Sequence, residues 1–219
     1  MSEASRDPAA AVTPPSARPA LVGRAIALEG VTIAWALVEC VLGIVAAVAA
    51  GSVALFGFGL DSAIEAVSGG IVLWRLLAER RGAPHATVER MDRLAHRTVG
   101  VLLLALALYV AGDAIVTLVR HDRPGASALG IAVTAVALVA MLWLAQAKRR
   151  VAIALGSGAL AADAVQTSAC WWLSLATLAG VGLNTAFGWW WADPAAALVM
   201  TGLIAWEARE ALSGRSCAC

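Results

Sequence analysis

Asp61 and Glu65 stand four residues apart in the string D-S-A-I-E, in the middle of the apolar run GSVALFGFGLDSAIEAVSGGIVLWRLL at 51–77. On a helix that spacing puts both carboxylates on one face, one turn apart, with about 6 Å between their Cβ atoms. An ionised acid near the centre of a bilayer costs about 2.5–3.5 kcal/mol even on the lenient insertion scale, so two together need a cation, protons or water to offset them. A second polar interruption, A-D-A-V-Q-T-S-A-C at 162–170, lies in another apolar run and repeats the spacing with Gln166 and Cys170. Two such pairs facing each other make four donors. A carboxylate, carboxylate, amide and thiolate set can be tetrahedral, and it suits Zn²⁺ better than Mg²⁺, which wants octahedral oxygen.

Other polar residues are candidates for the same path. Asp163, one turn before Gln166, is placed to orient it or to line the way in, and Glu39 and Asp113 are deep acids that can relay protons or widen the cation route. Each has a plainer reading. Acids in a bundle can sit protonated and hydrogen-bonded between helices, an amide can bridge helices, and a lone cysteine can pack as a small hydrophobe. No Lys or Arg falls at depth in the predicted first, third, fifth or sixth helix to neutralise the acids, which favours a cation or proton role.

The elements that position these residues are membrane spans. In 219 residues, 61% are hydrophobic and 14% charged, with a mean hydropathy of +0.80, and runs of about 20 apolar residues, enough to cross about 30 Å of hydrocarbon, recur along the chain. They predict an all-α, polytopic membrane protein with six helices at 25–50, 52–77, 99–119, 126–147, 151–181 and 194–212. The expected division is a disordered cytosolic tail at 1–24, rich in Pro, Ala and Ser, a membrane domain at 25–213 and a short cytosolic tail at 214–219. Basic residues cluster before the first helix, between the second and third, between the fourth and fifth (Lys148, Arg149, Arg150) and at the C-terminal end. Arg120 and Arg123 alone fall on the other side, so the positive-inside rule puts both termini in the cytosol. Lys148 is the only lysine, a bias that fits a GC-rich bacterial genome and hence a bacterial plasma membrane.

Trp189, Trp190 and Trp191 read as an interfacial anchor, and Asp193 with Pro194 as the cap and first turn of the sixth helix. His85, His96 and His121 fall in predicted loops. Cys217 and Cys219 close the chain as C-A-C, thiols in a reducing cytosol that can pick up soft metal. A net charge of +1 argues against a nucleic-acid partner.

The sequence resembles the cation diffusion facilitator (cation efflux) family of metal/proton antiporters. S-V-A-L-F-G-F-G-L-D-S-A-I-E is similar to that family's entry to helix two, A-A-D-A-V-Q-T-S-A-C to its helix-five motif A-D-x-x-H-x-x-x-D, and A-D-P-A-A-A-L to the opening of helix six. The resemblance implies six helices, cytosolic termini and a metal site in which Asp61 and Glu65 hold the helix-two positions and Gln166 and Cys170 the His and Asp positions of helix five. Gln166 brings an amide where the family has a titrating imidazole, and Cys170 a softer ligand that shifts preference toward Zn²⁺, Cd²⁺ or Cu⁺. The chain reads as a short form without the family's cytosolic C-terminal domain.

The expected function is therefore divalent metal export, with Zn²⁺ the first candidate, driven by protons. Metal cations and protons are the expected substrates, with no resident cofactor, and the lipid bilayer is the setting. A homodimer through the membrane domain is the protein partner this reading allows. Two other classes compete. One is a membrane subunit that senses or scaffolds metal without moving it. The other is a metal-dependent intramembrane phosphotransferase, whose D-G-x-x-A-R and G-x-x-x-D-x-x-x-D strings do not occur here.

Overall fold

A computed structural model describes the backbone of residues 18–81 and 85–213, and the side chains of these residues except 85–96. Six helices follow one another: α1 (Arg18–Ala50), α2 (Val53–Arg80), α3 (His85–Arg120), α4 (Ala128–Leu155), α5 (Gly158–Phe187) and α6 (Ala192–Ser213). Among the described residues, five of them, α1 to α5, are long and apolar enough to cross a membrane. The sequence anticipates a sixth span; α6 is not among the five, and its 22 residues carry Asp193, Glu207, Arg209 and Glu210.

The turns are built from residues suited to them. Gly51 adopts a left-handed φ of 63° between α1 and α2, and the Ser52 hydroxyl then accepts from Leu55 N to cap α2. The same pairing recurs at Gly156, which closes α4 at φ 61°, and Ser157, which caps α5. Glycine tolerates the left-handed region, and serine satisfies an orphan amide of the next helix.

α1 packs along α2, α3 along α6 and α4 along α5, with further contacts of α2 to α3, α5 and α6, α1 to α4, and α5 to α6. Small residues set these distances. A Cβ on Gly59 would lie 3.0 Å from the backbone nitrogen of Ile44 in α1, and one on Gly180 would lie 2.5 Å from the Ala196 Cβ of α6. Large side chains face outward instead: Val48, Leu108, Val139 and Ile153 are all strongly exposed, as a lipid-facing surface requires.

Several expectations need correction. α1 begins at Arg18, inside the segment read as a disordered tail, and α3 begins at His85, so His85 and His96 lie on a helix and not in a loop. Hydropathy marks only the part of a helix suited to hydrocarbon, whereas the hydrogen-bond ladder continues through polar residues beyond it. Likewise α4 runs to Leu155, and Lys148 is a fully buried residue of its last turns, not part of a connecting loop. Asp193 is not the cap of its own helix, because α6 begins at Ala192 and puts Asp193 within its first turn. Its carboxylate accepts from Ser52 Oγ at 2.5 Å and from Val53 N at 3.0 Å, capping α2 across the bundle. Residues 1–17 and the Cys217/Cys219 pair lie outside the described residues.

Trp189 and Trp191 stack at 5.5 Å and stand exposed after α5, while Trp190 lies against His121 at 5.2 Å.

Candidate metal centre

α2 and α5 are neighbours, so the two polar interruptions meet inside the bundle. Asp61 and Glu65 are buried on one face of α2, and Cys170 is buried on α5 with its thiol beside both carboxylates. α1 adds Glu39. One ligand atom each from Glu39, Glu65 and Cys170 lies within 4.8 Å of the other two, the spacing of groups that can share one ion.

The hydrogen bonds around this cluster hold some oxygens and leave others free. Trp35 Nε1 donates to Glu39 Oε1, and Ser62 Oγ, which also bonds Phe58 O at 3.0 Å, lies 3.3 Å from Glu39 Oε2. These contacts fix the Glu39 carboxylate. Glu65, by contrast, is 1% exposed and no group stands in good hydrogen-bond geometry to either oxygen, although the Cys170 thiol and the Thr167 hydroxyl are its near neighbours. Burying a carboxylate without partners is expensive unless a cation or proton completes it. Glu207 of α6, also with an unpartnered oxygen, faces the same group of acids.

The other sequence candidates fall around this centre. Gln166 is half-buried one turn before Cys170, and no described hydrogen bond joins it to the acids. Asp163 belongs to a second cluster, where Lys148 Nζ donates to its carboxylate, to Glu29 Oε2 at 3.2 Å and to Thr167 Oγ1 at 3.3 Å. Asp113 lies apart, half-buried in a cleft by the α1–α2 turn with Tyr109, Thr117, Asp122 and Arg123.

Sequence reasoning missed Glu29, Lys148 and Thr167, and it treated Glu39 as a relay instead of a neighbour of Glu65. It also reckoned without an internal cation, which Lys148 supplies. The missed signal is a buried stripe alternating steps of three and four: Ala25, Glu29, Thr32, Ala36, Glu39 and Gly43 on α1. α5 carries the same stripe through Asp163, Thr167, Cys170, Ser174 and Thr177, which passes beside Gln166.

The family model for the cation efflux transmembrane domain matches residues 31–213. Among curated proteins, none matches the chain.

Proposed function

The chain belongs to the cation efflux family, whose members are metal-cation transporters and not enzymes, and we propose that it carries a divalent ion of the Zn²⁺ kind in exchange for protons. The ligands are Asp61, Glu65 and Cys170, completed by Glu39 or by Gln166. The observation that carries this reading is Glu65, whose two oxygens are buried without a well-formed hydrogen bond and have the Cys170 thiol beside them. A divalent cation offsets that buried charge, and protons on the same carboxylates do so in its absence. Groups that must lose protons to bind metal make the two cargoes compete.

The donor set favours a borderline or soft ion. Thiolate and carboxylates in a compact group suit four-coordinate Zn²⁺ or Cd²⁺, and Mg²⁺ poorly. The basic residues flanking the spans support cytosolic termini, and the Arg-over-Lys bias supports a plasma membrane of bacterial type. A transmembrane unit of 25–213 and a homodimer formed through it belong to the same proposal.

Proteoliposomes test it. Zn²⁺ uptake should drive a lumenal pH change, and Asp61→Asn should abolish both while the protein remains folded, because one charge fewer weakens the ion's hold yet eases burial of the empty site. Wild-type protein that binds Zn²⁺ but gives neither flux nor pH change would instead be a sensing or scaffold subunit.

A further inference from the structure

Lys148 is the one cation buried among the described acids, and its surroundings are those of a bound ion. The three N–H bonds of its ammonium are matched by three acceptors on two other helices: Glu29 Oε2 of α1 at 3.2 Å, the Asp163 carboxylate of α5, and Thr167 Oγ1 of α5 at 3.3 Å. Lys148 and Glu29 are fully buried and Asp163 is 3% exposed. Two carboxylates meet one ammonium, so with both acids ionised the group is one positive charge short, and a proton shared between Glu29 and Asp163 is the alternative to a second charge. The deficit has a location, because Glu29 Oε1 and Asp163 Oδ1 are buried with no hydrogen-bond partner.

Thr167 and Cys170 are successive members of the α5 stripe, about one helical turn apart, and Thr167 also neighbours Glu65, so this group adjoins the metal centre, with Asp163 about two turns from Cys170. It lies on the side of the apolar cluster of Val22, Leu76, Leu155 and Leu160, where α1 and α5 begin and α2 and α4 end. An ion moving between the metal centre and that end of the bundle passes it.

We infer that Glu29, Asp163 and Thr167 form a second cation station, kept filled by the Lys148 ammonium so that the cargo ion cannot settle there. The placement on the path rests on the reading of Asp61, Glu65 and Cys170 as the cargo site; the station itself does not. Two carboxylates and a hydroxyl are an oxygen set that a divalent ion accepts, and replacing the ammonium with a dipositive ion would supply the missing charge. The tethered amine denies the place to the cargo, because an ion trapped beside the centre would repel the next one and slow its passage.

The test is ion stoichiometry on the full chain in phosphatidylcholine nanodiscs, with Cys217 and Cys219 changed to serine and Cd²⁺ as the probe in equilibrium dialysis. Lys148→Gln should bind one Cd²⁺ more per chain than its parent, Lys148→Arg should match the parent, and adding Glu29→Gln and Asp163→Asn to Lys148→Gln should remove the extra ion. A folded Lys148→Gln protein with the parent's stoichiometry would overturn the inference. Should that variant not fold, Lys148→Ala decides: the extra ion should appear without methylammonium and disappear with it, and identical stoichiometry in both conditions overturns the inference. A parent that binds no Cd²⁺ while Lys148→Gln binds one would remove the metal centre and leave the station standing. One ion in each would do the reverse.

Discussion

Glu39 and Gln166 divide the question of the fourth ligand. Glu39 is fully buried, its carboxylate is steered by Trp35 and Ser62, and its oxygen lies within 4.8 Å of donor atoms on Glu65 and Cys170. Gln166 is half-buried and must turn inward to reach an ion. Glu39→Gln should therefore weaken Cd²⁺ or Zn²⁺ binding about tenfold or more, and Gln166→Ala by no more than about threefold, as measured by equilibrium dialysis. The reverse order would return the fourth position to Gln166. Cys170 governs preference more than occupancy. Cys170→Asp exchanges a soft donor for a hard one and should lower selectivity for Cd²⁺ over Mn²⁺ in vesicle competition while transport persists, whereas unchanged selectivity would make the thiol mere packing.

At the level of helices, the i, i+4 rule found Asp61 and Glu65 because their face of α2 is the buried one. Applied to α5, the same rule reached Gln166 from Cys170, yet the buried stripe of that helix steps from Asp163 to Thr167 to Cys170. Spacing says which residues share a face; the run of small and hydroxyl residues says which face turns inward. The stripe of α4 through Met141, Leu144, Lys148, Val151 and Leu155 likewise carries Lys148 inside, although the adjoining Arg149 and Arg150 make the triplet look like a loop. Position along the stripe was legible in the sequence, but the charge partners were not, because Glu29 lies 119 residues from Lys148 and Asp163 meets it only through the packing of α5 on α4. The cap from Asp193 to α2 has the same character. Asp193→Ala removes an acceptor from Ser52 Oγ and Val53 N and should destabilise the bundle by about 1–3 kcal/mol, read from thermal unfolding in detergent. A neutral result would mean that Ser52 alone suffices to cap α2.

For the molecule as a whole, one end of the bundle is shut. Val22, Ala25, Leu76, Leu155 and Leu160 pack together there, and outside them Arg18 Nη2 lies 2.7 Å from Glu79 Oε1 and 3.4 Å separates Arg18 Nη1 from Leu155 O. A transporter that alternates access to a central site must separate such an apolar plug in each cycle, and helix pairs packed through small residues can rock against one another to do so. The Arg18–Glu79 pair is exposed and adds little energy, so apolar packing holds the plug there, while just inside it the buried Lys148–Glu29 pair ties α1 to α4. Joining the helices covalently at that point should therefore stop transport without touching the metal centre. Arg18→Cys with Glu79→Cys, in a background where Cys40, Cys217 and Cys219 are serine, should lose Zn²⁺ flux on treatment with a short bis-methanethiosulfonate, which forms a disulfide to each thiol with loss of methanesulfinate, and recover it on reduction. The Cd²⁺ binding that Asp61→Asn removes should stay at the untreated level throughout, whatever Cd²⁺ the paired new thiols hold before cross-linking. Full flux in the cross-linked protein would show that α1 and α2 need not part at this end, and that the ion leaves by another gap in the bundle.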